Sequence, residues 1–149
     1  MLNLSKKIVV AIDGSPQSDK AAEEAVRMAT ISRGRVKSRI YAVLVLPKSD
    51  APAVDSLAVP DDRMVSDHES IRKQMFYVIE KAAREAEIGF ESVIAYGDPA
   101  EEIIRVAEER ECDVIVIGSS GKGRVKRALQ GSVSIDVALH AHVSVYVVR

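Results

Sequence analysis

One stretch decides the fold of this chain: CDVIVIGSSGKGRVKRALQGSVS, which runs from Cys112 to Ser134. The β-branched run from Val114 to Ile117 inside it is typical of a strand that is buried on both faces. That strand ends at Gly118, where a loop rich in glycine and serine begins. The stretch therefore predicts a buried strand, a loop and a helix, in that order.

The spacing of the glycines in this loop indicates an anion site. Gly118 and Gly121 let backbone N–H groups approach a ligand without interference from a Cβ atom. Gly131 and Ser132 stand where the next helix begins, so its first N–H groups are free. Such groups attract anions, and phosphate is the usual one. A lone pair of glycines is better explained by a simple turn of the chain, but the longer spacing is more specific.

The composition is that of one soluble globular domain. The chain has 149 residues, of which 47% are hydrophobic and 29% charged, and its formal net charge is -1. A chain of this length buries roughly two-thirds of its unfolded surface around a single core. Because there is no basic excess, we expect no bulk electrostatic binding of nucleic acid. Cys112 is expected to be a small packed residue rather than a reactive thiol.

The amino terminus and the apolar runs bear on where the protein acts. Residues 1–7 lack the long apolar core of a signal peptide, and no apolar run approaches the roughly 20 residues that span a bilayer. A single cysteine suits a reducing compartment. We therefore expect no membrane partner and a cytoplasmic location.

The rest of the chain alternates strands and helices. Ile8 to Ile12 is an apolar run that enters a turn, with Ser15 as helix cap and Pro16 at the first helical position. The other predicted strands are 40–46, 92–96, 114–117 and 143–148, and later helices start after Asp98 and at Ser132. Because right-handed crossovers are the rule, this alternation predicts a five-stranded parallel sheet with helices on both faces.

Residues 47–66 break the alternation. Three prolines and four aspartates surround short apolar pieces that have neither helical nor strand period, and a flexible loop is predicted there. Ser66 and Glu69 then have the spacing of a capping box at the start of a long amphipathic helix. Gly89 is predicted to end that helix in a left-handed cap.

The glycine spacing, taken with the rest of the chain, resembles a known family. Gly118-x2-Gly121-x9-Gly131-Ser132 is similar to the ATP-binding signature of the universal stress protein family. The segment IVVAIDGS, residues 8–15, is similar to that family's first strand and turn, Gly97-Asp98-Pro99-Ala100 to its third strand-to-helix junction, and 143–149 to its closing strand. The likeness covers residues 1–149 as one domain, with the flexible loop at 47–66.

The resemblance implies both an architecture and a ligand. The architecture is a single Rossmann-like domain of the adenine nucleotide alpha hydrolase-like kind, with strand order 3-2-1-4-5. Its winding reverses between strands 1 and 4, and ligands bind at such a switch point, beyond the carboxyl ends of the strands. The implied ligand is ATP with Mg2+ or Mn2+, and the implied assembly is a homodimer through Val143 to Val148. The implied cofactor-binding residues are Ala11, Asp13, Val45, Gly118, Ser119, Gly121, Gly131, Ser132, Val133 and Ser134.

Several of these residues have a structural alternative. Asp13 accepts hydrogen bonds from the adenosine part of a nucleotide, or it merely forms an Asx turn into the first helix. Val45 matches an adenine-pocket position of the family and is equally good core. Ser132 serves a phosphate or caps a helix with the same free N–H groups.

The charged residues and histidines near the loop are weak evidence for a phosphate clamp or a metal site. A run of exposed cations is more often a solvated face than a phosphate clamp, and it comprises Lys122, Arg124, Lys126 and Arg127. Asp136, His140 and His142 have a superficial metal spacing without a further ligand cluster, so no metal site is predicted.

These observations leave three functional hypotheses. The leading one is an ATP-binding regulatory module of a stress response, in which occupancy biases shape or partner choice. It has no catalytic residues and at most weak ATP hydrolysis, since no general base stands out. Neither a P-loop nor a dinucleotide fingerprint is present, so the nucleotide would be held in another way. The alternatives are a slow ATPase or nucleotidyl transferase, and an interaction protein that binds no nucleotide. The regulatory protein partner stays unidentified.

Overall fold

Five strands form one parallel sheet in the computed structural model, which describes residues 5–31, 38–52, 62–119 and 133–149. The strands are β1 (Lys7–Ala11), β2 (Arg39–Leu46), β3 (Gly89–Tyr96), β4 (Val114–Gly118) and β5 (Ser144–Val148). Their order across the sheet is β3-β2-β1-β4-β5. The predicted parallel sheet and its order are confirmed.

Helices cover both faces of the sheet. They are α1 (Pro16–Ile31), α2 (Asp62–Ile71), α3 (Tyr77–Glu85), α4 (Pro99–Glu109) and α5 (Val133–His140). A π-helical segment, Arg72–Phe76, joins α2 to α3, and a short 3-10 turn, Lys48–Asp50, follows β2. The connections after β2 and β4 lie largely outside the described residues.

The core has two layers because successive strand residues point to opposite faces of a sheet. Ile8 and Val10 of β1 pack with α1 and α3, in a cluster that also holds the fully buried Phe76. Val9, between them, packs with α4 and α5 on the other face. The central strands are therefore buried on both sides, as their continuous apolar runs predict.

Strand boundaries differ from the prediction at polar residues. β1 begins at Lys7 rather than Ile8, and β3 begins at Gly89 rather than Ser92, because both pair with Arg39 of β2. Sheet pairing uses main-chain groups, so a ladder continues past the apolar residues that mark a strand in sequence. At the far edge, β5 begins at Ser144 rather than Val143.

The helix after the 47–66 segment starts earlier than predicted. α2 begins at Asp62, so Ser66 lies inside the helix and the predicted capping box is wrong. Of the predicted flexible loop 47–66, residues 62–66 belong to α2, and residues 53–61 lie outside the described ones. By contrast, the cap predicted at Asp98 is confirmed, since its carboxylate accepts a hydrogen bond from the Glu101 N–H at 3.0 Å.

Two helices end at a glutamate in the left-handed conformation, and the predicted cap at Gly89 is wrong. After α3, Glu87 has φ 57°, and the Ile88 N–H donates to the Ala83 carbonyl at 2.8 Å. After α4, Glu111 has φ 53°, and the Cys112 N–H donates to the Ala107 carbonyl at 2.8 Å. Both are Schellman motifs, in which glycine is the usual residue at the left-handed position.

Replacing Glu111 by glycine is expected to raise the free energy of unfolding by about 1 kcal/mol, because an L-residue in the left-handed conformation is strained and glycine is not. The matched control is Glu108→Gly, one turn earlier in α4, which is expected to lower it by about 1 kcal/mol. Urea denaturation measures both. A loss of stability in Glu111→Gly would contradict the assigned cap.

Cys112 lies just after this cap and is buried, as predicted for a small packed residue. Burial raises the pKa of its thiol to about 11, since an apolar environment disfavours the thiolate. The thiolate is the reactive form, so this thiol is unreactive near neutral pH.

Within the described ranges, no helix is long and apolar enough to cross a bilayer.

Candidate functional site

The turn after β1 and the end of β4 lie at the same level of the sheet. β1 pairs with β4, and Val10 stands opposite Val116. Asp13 and Ser119 each lie three residues further along the chain, just beyond the ends of their strands. The order β3-β2-β1-β4-β5 places the reversal of winding between these two strands. The two segments therefore meet at the switch point, where parallel α/β sheets bind ligands.

Hydrogen bonds between near neighbours shape the turn from β1 to α1. The Ser15 N–H donates to Asp13 Oδ1 at 2.8 Å, which closes an Asx turn. Ser15 Oγ in turn accepts from the Ser18 N–H at 3.1 Å and so caps α1. Gly14, between them, has φ 80°. The structural alternative for Asp13 is thus realised, and it occupies only one carboxylate oxygen.

Gly118 is in close contact with the first turn of α1. A Cβ atom at this position would lie 2.6 Å from the Gln17 carbonyl oxygen and 2.7 Å from its carbonyl carbon. These are backbone atoms, which cannot move aside as a flexible side chain does. The absence of a side chain at Gly118 is therefore required by helix packing, and its predicted role toward a ligand stays a prediction.

The residues that follow β4 and begin α5 offer fewer free groups than their types suggest. The Ser119 N–H donates to the Val148 carbonyl at 2.7 Å, so the end of β5 already uses it. Ser134 is buried in the first turn of α5, and Val133 before it is 38% exposed. Their roles toward a ligand stay predictions.

Ala11 precedes Asp13 at the end of β1, and Val45 lies beside it on the neighbouring strand β2. Ala11 stands opposite Val43, so Val45 is two residues further along β2, at the level of Asp13. Both side chains are partly buried and pack against the core cluster of α4 and α5. They serve as core and also stand at the level of the switch point.

The rest of the predicted site lies outside the described residues. This applies to Gly121, Gly131 and Ser132, and to the basic residues between them. The described half of the site consists of the Asp13 turn, the end of β4 and the start of α5.

Asp136, His140 and His142 line a groove between α4 and α5. The groove has a volume of about 530 Å³, and Asp98, Glu101, Ile104 and Arg105 are also in its wall. His140 Nδ1 lies 2.9 Å from the Asp136 backbone oxygen, not from its carboxylate. In the part of the chain that is described, no group of three or more His, Cys, Asp or Glu side chains is arranged to hold a metal.

Sequence reasoning missed two residues beside the switch point. Gln17 packs on Gly118, and its side-chain Oε1 is buried without a hydrogen-bond partner among the described residues. Met75 of the π-helical segment contacts Gly14. No local pattern marks either residue, because each acts through a neighbour that is distant in sequence.

The sheet order, with its reversal of winding between β1 and β4, defines the class of doubly wound α/β proteins, which bind ligands at the switch point. The model of the Universal stress protein family matches residues 5–149. This chain belongs to that family.

Relatives in sequence and in structure match nearly all of the chain. Universal stress protein MJ0531 of Methanocaldococcus jannaschii is 35% identical over 147 residues, which are 99% of this chain and 84% of that protein. The crystal structure of a universal stress protein in complex with cAMP has a TM-score of 0.70 at 20% identity, and covers 99% of this chain and 98% of the other. A universal stress protein from Archaeoglobus fulgidus in complex with dAMP has a TM-score of 0.64 at 21% identity, covering 99% and 100%.

Proposed function

We propose that this protein is a nucleotide-dependent regulatory module of a stress response, which binds ATP with Mg2+ or Mn2+ at the switch point. The observation that carries the proposal is the meeting of the Asp13 turn with the end of β4 at one level of the sheet. In this chain the predicted phosphate loop begins where β4 ends. A ligand held between the two segments explains why both carry the family's signature residues.

The described groups suit the parts of a nucleotide. The second carboxylate oxygen of Asp13 is left to accept from a ribose hydroxyl or from water on a metal ion, since Ser15 occupies Oδ1. Mg2+ prefers oxygen ligands and is usually bound through one or two carboxylates plus substrate phosphates.

Two structural relatives support an adenine nucleotide as ligand. Their structures were solved in complex with cAMP and with dAMP. Both ligands share an adenine base, a sugar and one phosphate, and ATP contains the same parts. The family's glycine and serine spacing in residues 118–132 favours the triphosphate here.

Titration of Mg-ATP into the protein, followed by calorimetry, tests the proposal. We expect binding below millimolar ATP, and an affinity about tenfold weaker in Asp13→Asn, because one charge-assisted hydrogen bond is lost. Asparagine retains the acceptor that closes the turn to Ser15. Asp19→Asn removes the same charge one turn into α1 and is the control, with unchanged affinity expected.

Other outcomes favour the alternatives. No binding at millimolar ATP, with the protein folded, would leave an interaction protein that binds no nucleotide. Release of phosphate or nucleotidyl transfer at several turnovers per minute would instead indicate an enzyme. Mass analysis of ligand released from freshly purified protein identifies which adenine nucleotide is resident.

We propose that the protein acts in the cytoplasm.

We further propose that two copies of the chain pair through β5. β5 is an edge strand, and Tyr146 and Val147 are 44% and 40% exposed. The neighbouring helix α5 exposes Ile135 and Leu139. An apolar edge strand with unpaired main-chain groups favours pairing with another strand.

A further inference from the structure

A methionine from a distant helix packs on the turn that carries Asp13. A side chain added at Gly14 would begin 3.1 Å from the Met75 methyl carbon and 3.7 Å from its sulfur. Met75 is partly buried and packs against the core cluster of α1 and α3. The turn between β1 and α1 is therefore supported from outside its own hydrogen bonds.

The π-helical segment, Arg72–Phe76, holds Met75 in this position. At its start, the Arg72 guanidinium donates to the backbone carbonyl and the hydroxyl of Ser92 in β3. At its end, Phe76 is fully buried in the core. One turn before the π-helical segment, in α2, His68 Nε2 lies 2.6 Å from the Tyr96 hydroxyl oxygen, and the two rings stack. Contacts at both ends thus restrict where Met75 points.

The turn needs such support because of Gly14. Glycine adopts a φ of 80° without strain, but it also loses more conformational freedom on folding than any other residue. The hydrogen bond that the Ser15 N–H donates to Asp13 Oδ1 spans this glycine, so motion at Gly14 moves the Asp13 carboxylate. A thioether is flexible and polarizable enough to fill the space over a backbone without a Cβ atom.

We propose that Met75 is a positioning residue for the ligand site: it packs on Gly14 and so holds the Asp13 carboxylate in its binding position. This inference rests on the proposed nucleotide binding at Asp13. It assigns to the π-helical segment a role in affinity, although Met75 itself does not touch the nucleotide. Short π-helical segments are often found at functional sites.

Nucleotide affinity tests the proposal with a matched pair of methionines. Met28 of α1 is also partly buried against the same core cluster as Met75. Met75→Ala is expected to weaken the affinity for Mg-ATP roughly threefold to tenfold, and Met28→Ala to leave it unchanged although both lose stability. Met75→Leu keeps the bulk and is expected to restore most of the affinity. In an Asp13→Asn background, Met75→Ala should have little further effect.

Amide hydrogen exchange tests the same inference without nucleotide. The Ser15 N–H, which bonds to Asp13, is expected to exchange about fivefold faster in Met75→Ala and at the wild-type rate in Met28→Ala. If the wild-type protein binds no nucleotide, the proposed function fails, and this exchange rate still decides whether Met75 holds the turn. Equal Ser15 exchange in the wild type and Met75→Ala, or equal Mg-ATP affinity in the two, overturns the inference.

Discussion

Replacing Gly118 by alanine is expected to lower the free energy of unfolding by about 3 kcal/mol in the absence of any ligand. The new Cβ atom would lie 2.6 Å from the Gln17 carbonyl oxygen, far inside van der Waals contact. Relief requires α1 to move away from β4, yet the small residues Ala21 and Ala25 of α1 are fully buried in the core beneath it. Overpacking of this kind typically costs about 1–3 kcal/mol, and backbone atoms place Gly118 at the upper end.

Gly89→Ala is the matched control for this prediction. Gly89 is also in a strand, but a Cβ atom there would meet atoms of the Arg39 side chain, the nearest at 3.1 Å. A long exposed side chain shifts easily, so we expect less than about 1 kcal/mol of destabilisation. Urea denaturation at fixed protein concentration measures both variants. Equal stability of Gly118→Ala and the wild type would show that the glycine is not required for packing.

Replacing Val145 by proline is expected to convert the proposed homodimer into a monomer. The Ser119 N–H donates to the Val148 carbonyl, so the backbone groups of Val148 face β4. Because these directions alternate along a strand, the N–H and C=O of Val145 and Val147 face the open side of β5. Proline at position 145 removes an outward N–H that a second copy would use, and proline is tolerated at such an edge.

Val145→Thr is the control, since threonine keeps the N–H, the β-branched shape and a nearly equal size. Light scattering at tens of micromolar protein should give twice the chain mass of 16.2 kDa for the wild type and the control, and the chain mass for the proline variant. A wild-type monomer under these conditions would reject the dimer. A dimer that persists in a folded Val145→Pro protein would place the interface elsewhere.

The predicted fold follows from local patterns that the structure retains. Apolar β-branched runs became the central strands because they are buried on both faces, and the cap at Asp98 formed because it needs only its own helix. Alternation of strands and helices then left few topologies, since parallel crossovers are right-handed. The predictions that failed, at Ser66 and Gly89, concern helix ends. At the end of α3, Glu87 with φ 57° occupies the left-handed position that was expected of Gly89. The burial of the next residue, Ile88, stabilises this conformation.

In the candidate site, too, some features follow from local sequence and others depend on contacts between distant segments. By itself the sequence determined the Asx turn at Asp13 and the cap at Ser15, because each depends on residues within a few positions along the chain. Only the tertiary structure decided that α1 occupies the space beside Gly118, that Met75 covers Gly14, and that the Ser119 N–H belongs to β5. These contacts join segments far apart in sequence, and they exist only because close packing brings their helices and strands together.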